Sequence, residues 1–308
     1  MPVRWLTEDV GIIELRTNVG VIRRGGECTL IDSGLDEDAG RRVLKALSEE
    51  GLRVVAIFNT HSHADHYGAD AFIKARTGAK VIAPFREAPI IEDPWLEPFY
   101  FSGGASPLGP LLNKFLMGRP CKVDIKVEGG PFEVGGMTME AIPLPGHSPG
   151  LMGIAVKCVL FCGDALFGQE VIEKHKVLYL HDPDLTRDSL AKIKSFAADF
   201  VVPSHGRALT RDQVAELVEA NLKAIDALDR AMLDTITSPM SVSVALSKSL
   251  KVVGLTLNDL PEAMLMRATA LAHLTGLSRR GKIKVAVGEP ASALENDVVC
   301  APAQTTVS

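Results

Sequence analysis

The chain has 308 residues, of which 46% are hydrophobic and 23% charged, with a formal net charge of −5. That is ordinary globular composition, long enough for one large and one small domain at ~100–200 residues each. The charge balance gives no sign of a strongly acidic or basic partner.

The amino terminus, MPVRWLTEDVGIIEL, lacks the basic stretch, apolar run and cleavage site of a signal peptide. No run reaches the ~18 apolar residues of a membrane span. Cys28, Cys121, Cys158, Cys162 and Cys300 are odd in number and unevenly spaced, which fits a reducing compartment rather than a disulfide framework. A cytoplasmic protein is expected. Cys158 and Cys162, in AVKCVLFCGDALF, read as buried packing residues.

IIELRTN, VGVIRRG and ECTLIDSG read as short strands between glycine-containing turns. The spacing of Val43, Leu44 and Leu47 predicts a helix over 37–50, ended by Gly51. VVAIFNT reads as a strand buried on both faces, with THSHADH directly at its end. Residues 68–77 read as helical and AKVIAP as another strand, so the core is α/β. Residues 86–121 break this rhythm with six prolines, four glycines and the aromatics Trp95, Phe99, Tyr100 and Phe101. They predict an irregular insertion with a short helix near 110–117, of the kind that serves as a lid.

KVDIKVEGG, FEVGG, MTMEAIPLP, GIAVKC and VLFCGD read as strands of a second sheet. SLAKIKSF reads as a helix and DFVVPSHG as a last strand ending at a histidine. A two-sheet sandwich flanked by helices is expected. Helices follow at about 211–235, 241–250 and 259–277, then a basic turn and hairpin in GLSRRGKIKVAVGEP. The predicted organisation is a sandwich domain over 1–210, a small helical domain over 211–290 that is winged-helix-like in outline, and a loosely held tail over 291–308.

Three of the eight histidines, His61, His63 and His66, fall within six residues with Asp65 between them. The turn splays alternate side chains, so His61 and His63 can face one metal while Asp65 and His66 face a second. Neutral imidazole and carboxylate suit zinc, and also iron or manganese. Without a cation, so many of these groups in one pocket would leave polar atoms unsatisfied. Three more strands end in a ligand-type residue beside glycine: IPLPGHSPG with His147, VLFCGDALFG with Asp164 and VVPSHGRA with His205.

From about residue 10 to residue 210 the chain resembles the metallo-β-lactamase superfamily, through LIDSG with Asp32, THSHADH, PGHSPG, CGDALF and PSHG. The resemblance implies an αββα sandwich with a dinuclear site on one edge. His61, His63 and His147 would hold one metal, Asp65, His66 and His205 the other, and Asp164 would bridge. Asp65 and Asp164 are the candidate catalytic carboxylates. Asp32, and more weakly Thr60, would orient a ligand histidine through its other ring nitrogen. Two metals ~3.5–4 Å apart supply hydroxide by lowering the pKa of water to ~7, so Ser62 and Ser204 shape turns rather than attack.

The expected reaction is hydrolysis of a small ester, thioester or lactone. GDALFGQEVIEKHKVLYL lacks the Gly-, Cys- and Arg-rich segment that follows the bridging aspartate in glyoxalase II and persulfide dioxygenases, which ranks a glutathione thioester lower. The lactonase branch has a tyrosine close after that aspartate, where Phe167 stands here and Tyr179 lies farther on. The alternatives are an RNA nuclease and an iron-dependent sulfur dioxygenase. Residues 221–290 carry nine Lys and Arg against six Asp and Glu, with Arg279, Arg280, Lys282 and Lys284 as a basic patch. A solvated hairpin edge is the expected role of that patch, ahead of RNA binding. His175 is expected in solvent, His181 is a minor candidate for substrate contact, and His273 is expected to pack in the small domain. The expected partner is a small-molecule substrate, with nucleic acid as the alternative, no membrane, and a homodimer left open.

Overall fold

The computed structural model describes residues 2–288 and 297–304. Its first sheet takes its strands in chain order. β1 (Arg4–Trp5), β2 (Val10–Ile13), β3 (Val19–Arg24) and β4 (Glu27–Ile31) are antiparallel neighbours. Helix α1 (Glu37–Glu49) then crosses over to β5 (Arg53–Phe58), parallel to β4. α2 (Ala64–Tyr67) and α3 (Asp70–Thr77) lead to β6 (Lys80–Pro84), again parallel. Two short helices, α4 (Ala88–Glu92) and α5 (Leu96–Phe101), precede the edge strand β7 (Ile125–Val127).

The second sheet begins with β8 (Gly130–Val134), β9 (Met137–Pro143), β10 (Met152–Val156) and β11 (Val159–Gly163) as antiparallel neighbours. Helices α6 (Gln169–His175) and α7 (Pro183–Ser195) lead to β12 (Phe200–Pro203), which runs parallel to β11, and β13 (Leu209–Thr210) closes the edge.

Strand alternation explains how the layers stack. In β11, Val159 and Phe161 face the first sheet beside Ile12, Ile22 and Phe58, while Leu160 and Cys162 face α7 and the helix that follows β13. Val43, Ala46 and Leu47 of α1 and Phe72 and Ile73 of α3 cover the outer face of the first sheet. The result is the expected helix–sheet–sheet–helix sandwich. Asp36 caps α1 by accepting from the Asp38 and Ala39 amides, so the helix starts where the sequence predicts.

Helix α8 (Arg211–Thr235) joins two cores. Its first half buries Val214, Leu217, Val218 and Ile225 on the second sheet and α7. Its second half buries Leu228 and Met232 in a separate core. That core also holds residues of α9 (Val242–Val252) and α10 (Leu260–Arg279), with β14 (Met240–Ser241) leading into α9.

Three local expectations are corrected. The helix near 110–117 is a single 3₁₀ turn, Gly109–Leu111. Asn113 ends it: its side chain donates to the Pro110 carbonyl and accepts from the Phe115 amide, in competition with helical bonding. The hairpin is not contained within 276–290, because β15 (Ile283–Gly288) pairs with β16 (Asp297–Pro302). The tail is therefore not loose at 297–302, where β16 lies between β14 and β15 and Cys300 is buried; residues 289–296 and 305–308 of that expectation lie outside the described residues.

Leu228→Ala is expected to cost about 2–4 kcal/mol in urea unfolding, since it empties a buried site. Leu233, exposed on the same helix, should cost less than about 0.5 kcal/mol. Equal effects would show that α8 does not bury the face described.

Candidate metal centre

Every ligand-type residue follows the end of a strand on one edge of the sandwich. Asp32 follows β4, His61 to His66 follow β5, and His147 lies between β9 and β10. Asp164 follows β11 and His205 follows β12. Asp32 holds a left-handed backbone, φ 61°, and its amide donates to the Phe58 carbonyl. That turn aims its carboxylate across to the β5 end.

The structure brings all seven candidates together. The ligand atoms of His61, His63 and His147 lie within 4.8 Å of one another, as do those of Asp65, His66 and His205 and those of His61, His66 and Asp164. His63 Nδ1 is 3.0 Å from His61 Nε2 and 2.8 Å from His147 Nε2. Asp164 stands between the groups, with Oδ2 3.6 Å from His147 Nε2 and 3.4 Å from His205 Nε2, and Oδ1 3.7 Å from His66 Nε2. His205 Nε2 is 3.1 Å from Asp65 Oδ2, which also accepts from Thr17 Oγ1.

Four of the five ring nitrogens turned away from the centre have hydrogen-bond partners, and these orient the rings. Asp32 Oδ2 accepts from His66 Nδ1 at 2.8 Å. Asp32 also accepts from the Thr60 amide and hydroxyl, and the Thr60 oxygen then accepts from His61 Nδ1 at 3.0 Å. Asp32 and Thr60 therefore each orient a histidine. Backbone carbonyls do the same elsewhere: Tyr179 accepts from His147 Nδ1 at 2.9 Å and Arg16 from His205 Nδ1 at 3.0 Å. Four Nε2 atoms and one Nδ1 atom thus converge. His66 Nε2 and Asp164 Oδ1 are buried with no partner, as expected of ligands awaiting a cation.

Burial, with His147 next, pushes His63 down to about 3, and burial lowers His61 and His147 too. These three are neutral and ready to ligate. Burial also opposes charge on His205, but Asp164 and Asp65 overcome it and raise its pKa to about 9. His66 is raised well above its usual range when Asp32, Asp65 and Asp164 outweigh its burial. Burial pushes the Asp164 carboxyl up, and His205 and His66 outweigh that and hold it well below the usual range.

Residues 12–205 match the family described as the metallo-beta-lactamase superfamily. The chain belongs to that superfamily. It is 30% identical over 219 residues to the hydroxyacylglutathione hydrolase of Rhodospirillum rubrum, a match covering 68% of this chain and 72% of that one. It is 30% identical over 150 residues to the protein of the same name from Dechloromonas aromatica, covering 49% of this chain and 44% of the other. Among solved structures, the fold matches a metallo-beta-lactamase family protein from Thermus thermophilus, with TM-score 0.69 and 21% identity over 98% of this chain and 97% of that one. A beta-lactamase domain protein from Burkholderia ambifaria gives TM-score 0.71 at 18% identity, over 98% and 95%.

Other candidates fall differently. Ser62 donates to Glu87, and Ser204 points at Asp32. His175 is exposed as expected. His181 is exposed too, and its backbone amide donates to the Gly146 carbonyl. His273 is buried in the small domain against Asp229, 2.7 Å away. Arg279 and Arg280 lie at the end of α10 rather than on a hairpin edge, and they pair with Asp182, Asp184 and Asp229. Three contributors escaped the sequence reading as parts of this site. The Tyr179 ring stands 5.5 Å from His63 and 5.4 Å from His147, and Glu97 Oε1 is 3.9 Å from His63 Nε2. The third, Glu87, is fully buried behind the histidine turn. Both glutamates lie in the insertion, where no periodicity marks them.

Metal binding at Asp65, His66 and His205 must displace protons from both His66 and His205, whereas the three-histidine group holds none near neutrality. Raising the pH from 6 to 9 should therefore tighten binding at the first group, roughly tenfold per pH unit for each proton displaced, and leave the second nearly flat. Cobalt(II) titrations across that range check this; equal pH slopes at the two groups would remove the assignment.

Proposed function

We propose that this superfamily hydrolase cleaves a small thioester, ester or lactone at a dinuclear centre, with zinc in both positions. The observation that carries the two-metal reading is Asp164, whose two oxygens reach histidines of both groups. A divalent pair bound there supplies hydroxide at neutral pH and polarises the substrate oxygen. The chain's residues hold the ligands: Asp32 and Thr60 orient His66 and His61, while Asp65 and Asp164 carry the negative charge facing the ions.

A protein nucleophile has little support. Burial pushes the Cys28 and Cys121 thiols up to about 12 and Cys300 up to about 11, so none is a thiolate at neutral pH. Thioesters head the list because two relatives are named hydroxyacylglutathione hydrolase. We read the insertion as a lid over the three-histidine group. α5 carries Glu97 beside His63 and the half-exposed Tyr100 next to Phe101, whose ring is 5.7 Å from Tyr179. Phe101 itself is buried with Leu111 and Leu116 against α10, which gives it a packing role.

We read the carboxy-terminal helices and small sheet as a winged-helix-like module that supports the site without supplying ligands, in a cytoplasmic protein. No helix among the described residues is long and apolar enough to cross a membrane. The pairing of Arg279 and Arg280 with carboxylates leaves the RNA reading weaker than the small-molecule one.

Elemental analysis of the wild type should return two ions per chain, and Asp164→Ala should lower occupancy at both positions. Activity against a panel of thioesters, lactones and phosphodiesters should favour the first two; a chain that holds only iron and consumes oxygen would instead be a sulfur dioxygenase. Tyr100→Ala should raise KM for the best substrate about tenfold with metal content unchanged. An unaltered KM would take Tyr100 out of the substrate site.

A further inference from the structure

One buried carboxylate outside the seven ligand-type residues touches both loops that carry the three-histidine group. Glu87 sits at the start of the insertion, directly before α4, and is 1% exposed. Its Oε2 accepts from the Ser62 amide at 3.0 Å and the Ser62 hydroxyl at 2.5 Å. Its Oε1 accepts from the Ser148 hydroxyl at 2.9 Å and the Gly150 amide at 2.6 Å. Four donors on two oxygens is close to the full capacity of a carboxylate.

The identity of those donors matters. Ser62 stands between His61 and His63, and Ser148 follows His147. Each histidine of the group is therefore one residue away from a Glu87 partner. The Pro145–Gly150 loop also meets the Glu87 segment at a point that only glycine allows. A Cβ on Gly150 would lie 2.9 Å from Glu87 Oε1 and 2.9 Å from Arg86 Cβ.

All four donors are neutral, so the desolvation of the carboxylate is offset by charge-assisted hydrogen bonds rather than by an opposite charge. Apolar side chains could join two loops at lower cost. What a carboxylate adds is direction, because its two oxygens fix the distance and angle between the groups they bind.

We propose that Glu87 is a positioning residue of the metal centre, clamping the Thr60–His66 turn to the Pro145–Gly150 loop and so setting the spacing of His61, His63 and His147. This rests on the reading of those three as ligands of one ion. His147 is also held from outside by the Tyr179 carbonyl, and Gly146 by backbone bonds from His181 and Asp182. Glu87 supplies the matching restraint from inside, between the loops.

The test is a cobalt(II) titration of the full chain against a competing chelator, with His63→Ala and His205→Ala used to assign each ion. Glu87→Gln keeps the size of the side chain but turns an NH₂ toward one hydroxyl, which can rotate to accept, and one backbone N–H, which cannot, so it weakens the hold on one loop. The expected result is a loss of about 10–100-fold in affinity at the three-histidine position, with the other ion within about twofold of wild type. The cobalt absorption of the affected position should change as well. Ser62→Ala combined with Ser148→Ala removes two of the four donors without touching the carboxylate, and should move affinity in the same direction by a smaller factor.

Wild-type affinity at both positions in Glu87→Gln overturns the proposal. So does an equal loss at both positions together with a lowered Tm, which would mean a packing role only. If Glu87→Gln does not fold, the double serine variant decides, and unchanged three-histidine affinity there overturns the clamp. Failure of the metal reading looks different. A wild type that takes up no cobalt, or whose uptake ignores His63→Ala, removes both readings at once, whereas normal Glu87 variants beside a His63→Ala loss remove only the clamp.

Discussion

The constraint behind the structure is the crowding of five imidazoles and two carboxylates at one sheet edge, with His61, His66, His147 and Asp164 buried there. His61, His63 and His147 are neutral and present unshared nitrogens about 3 Å apart. Those lone pairs repel one another unless a cation lies between them. The surrounding residues hold these rings in place. Asp32 is the central restraint: one buried carboxylate takes the Thr60 amide and hydroxyl and His66 Nδ1, and through Thr60 it also fixes His61.

The sandwich makes this possible because β4, β5, β9, β11 and β12 all end at the same edge. Parallel pairing of β4 with β5, and of β11 with β12, puts Asp32 beside the histidine turn and Asp164 beside His205. Gly146, with φ 138°, lets the His147 loop pass close to Thr186 of α7, where a Cβ would lie 2.3 Å from its hydroxyl oxygen. The loop is then held by the segment that enters α7.

That segment is in turn anchored by the carboxy-terminal module. The Leu180 amide donates to the buried Thr269 hydroxyl of α10, and Arg279 pairs with Asp182, the residue that caps α7. Arg187 of α7 pairs with Asp226 and Asp229 of α8, and Asp229 also receives His273 and Arg280. Arg279 is half exposed, so its pair adds little stability. Its contribution is location. The contact path runs from α10 through Leu180 and Tyr179 to His147, so a module with no ligand-type cluster among its described residues still bears on the position of a ligand-type histidine.

Within the chain, short windows carried most of the chemistry and the core. THSHADH, PGHSPG, CGDALF and PSHG were legible because each is a strand end with its ligand residue and a turn within a few positions, which is how local sequence encodes geometry. Continuous apolar runs in segments such as VLFCG marked the two-sheet core for the same reason. What tertiary structure decided were pairings that leave no local trace. β15 finds β16 across residues 289–296, Glu87 meets Ser62 and Ser148 from 25 and 61 residues away, and Thr269 meets Leu180 from 89. The carbonyls of Tyr179 and Arg16 orient two histidines with an atom that every residue possesses. A backbone acceptor has no sequence signature, and only the folded chain determines which one a histidine reaches.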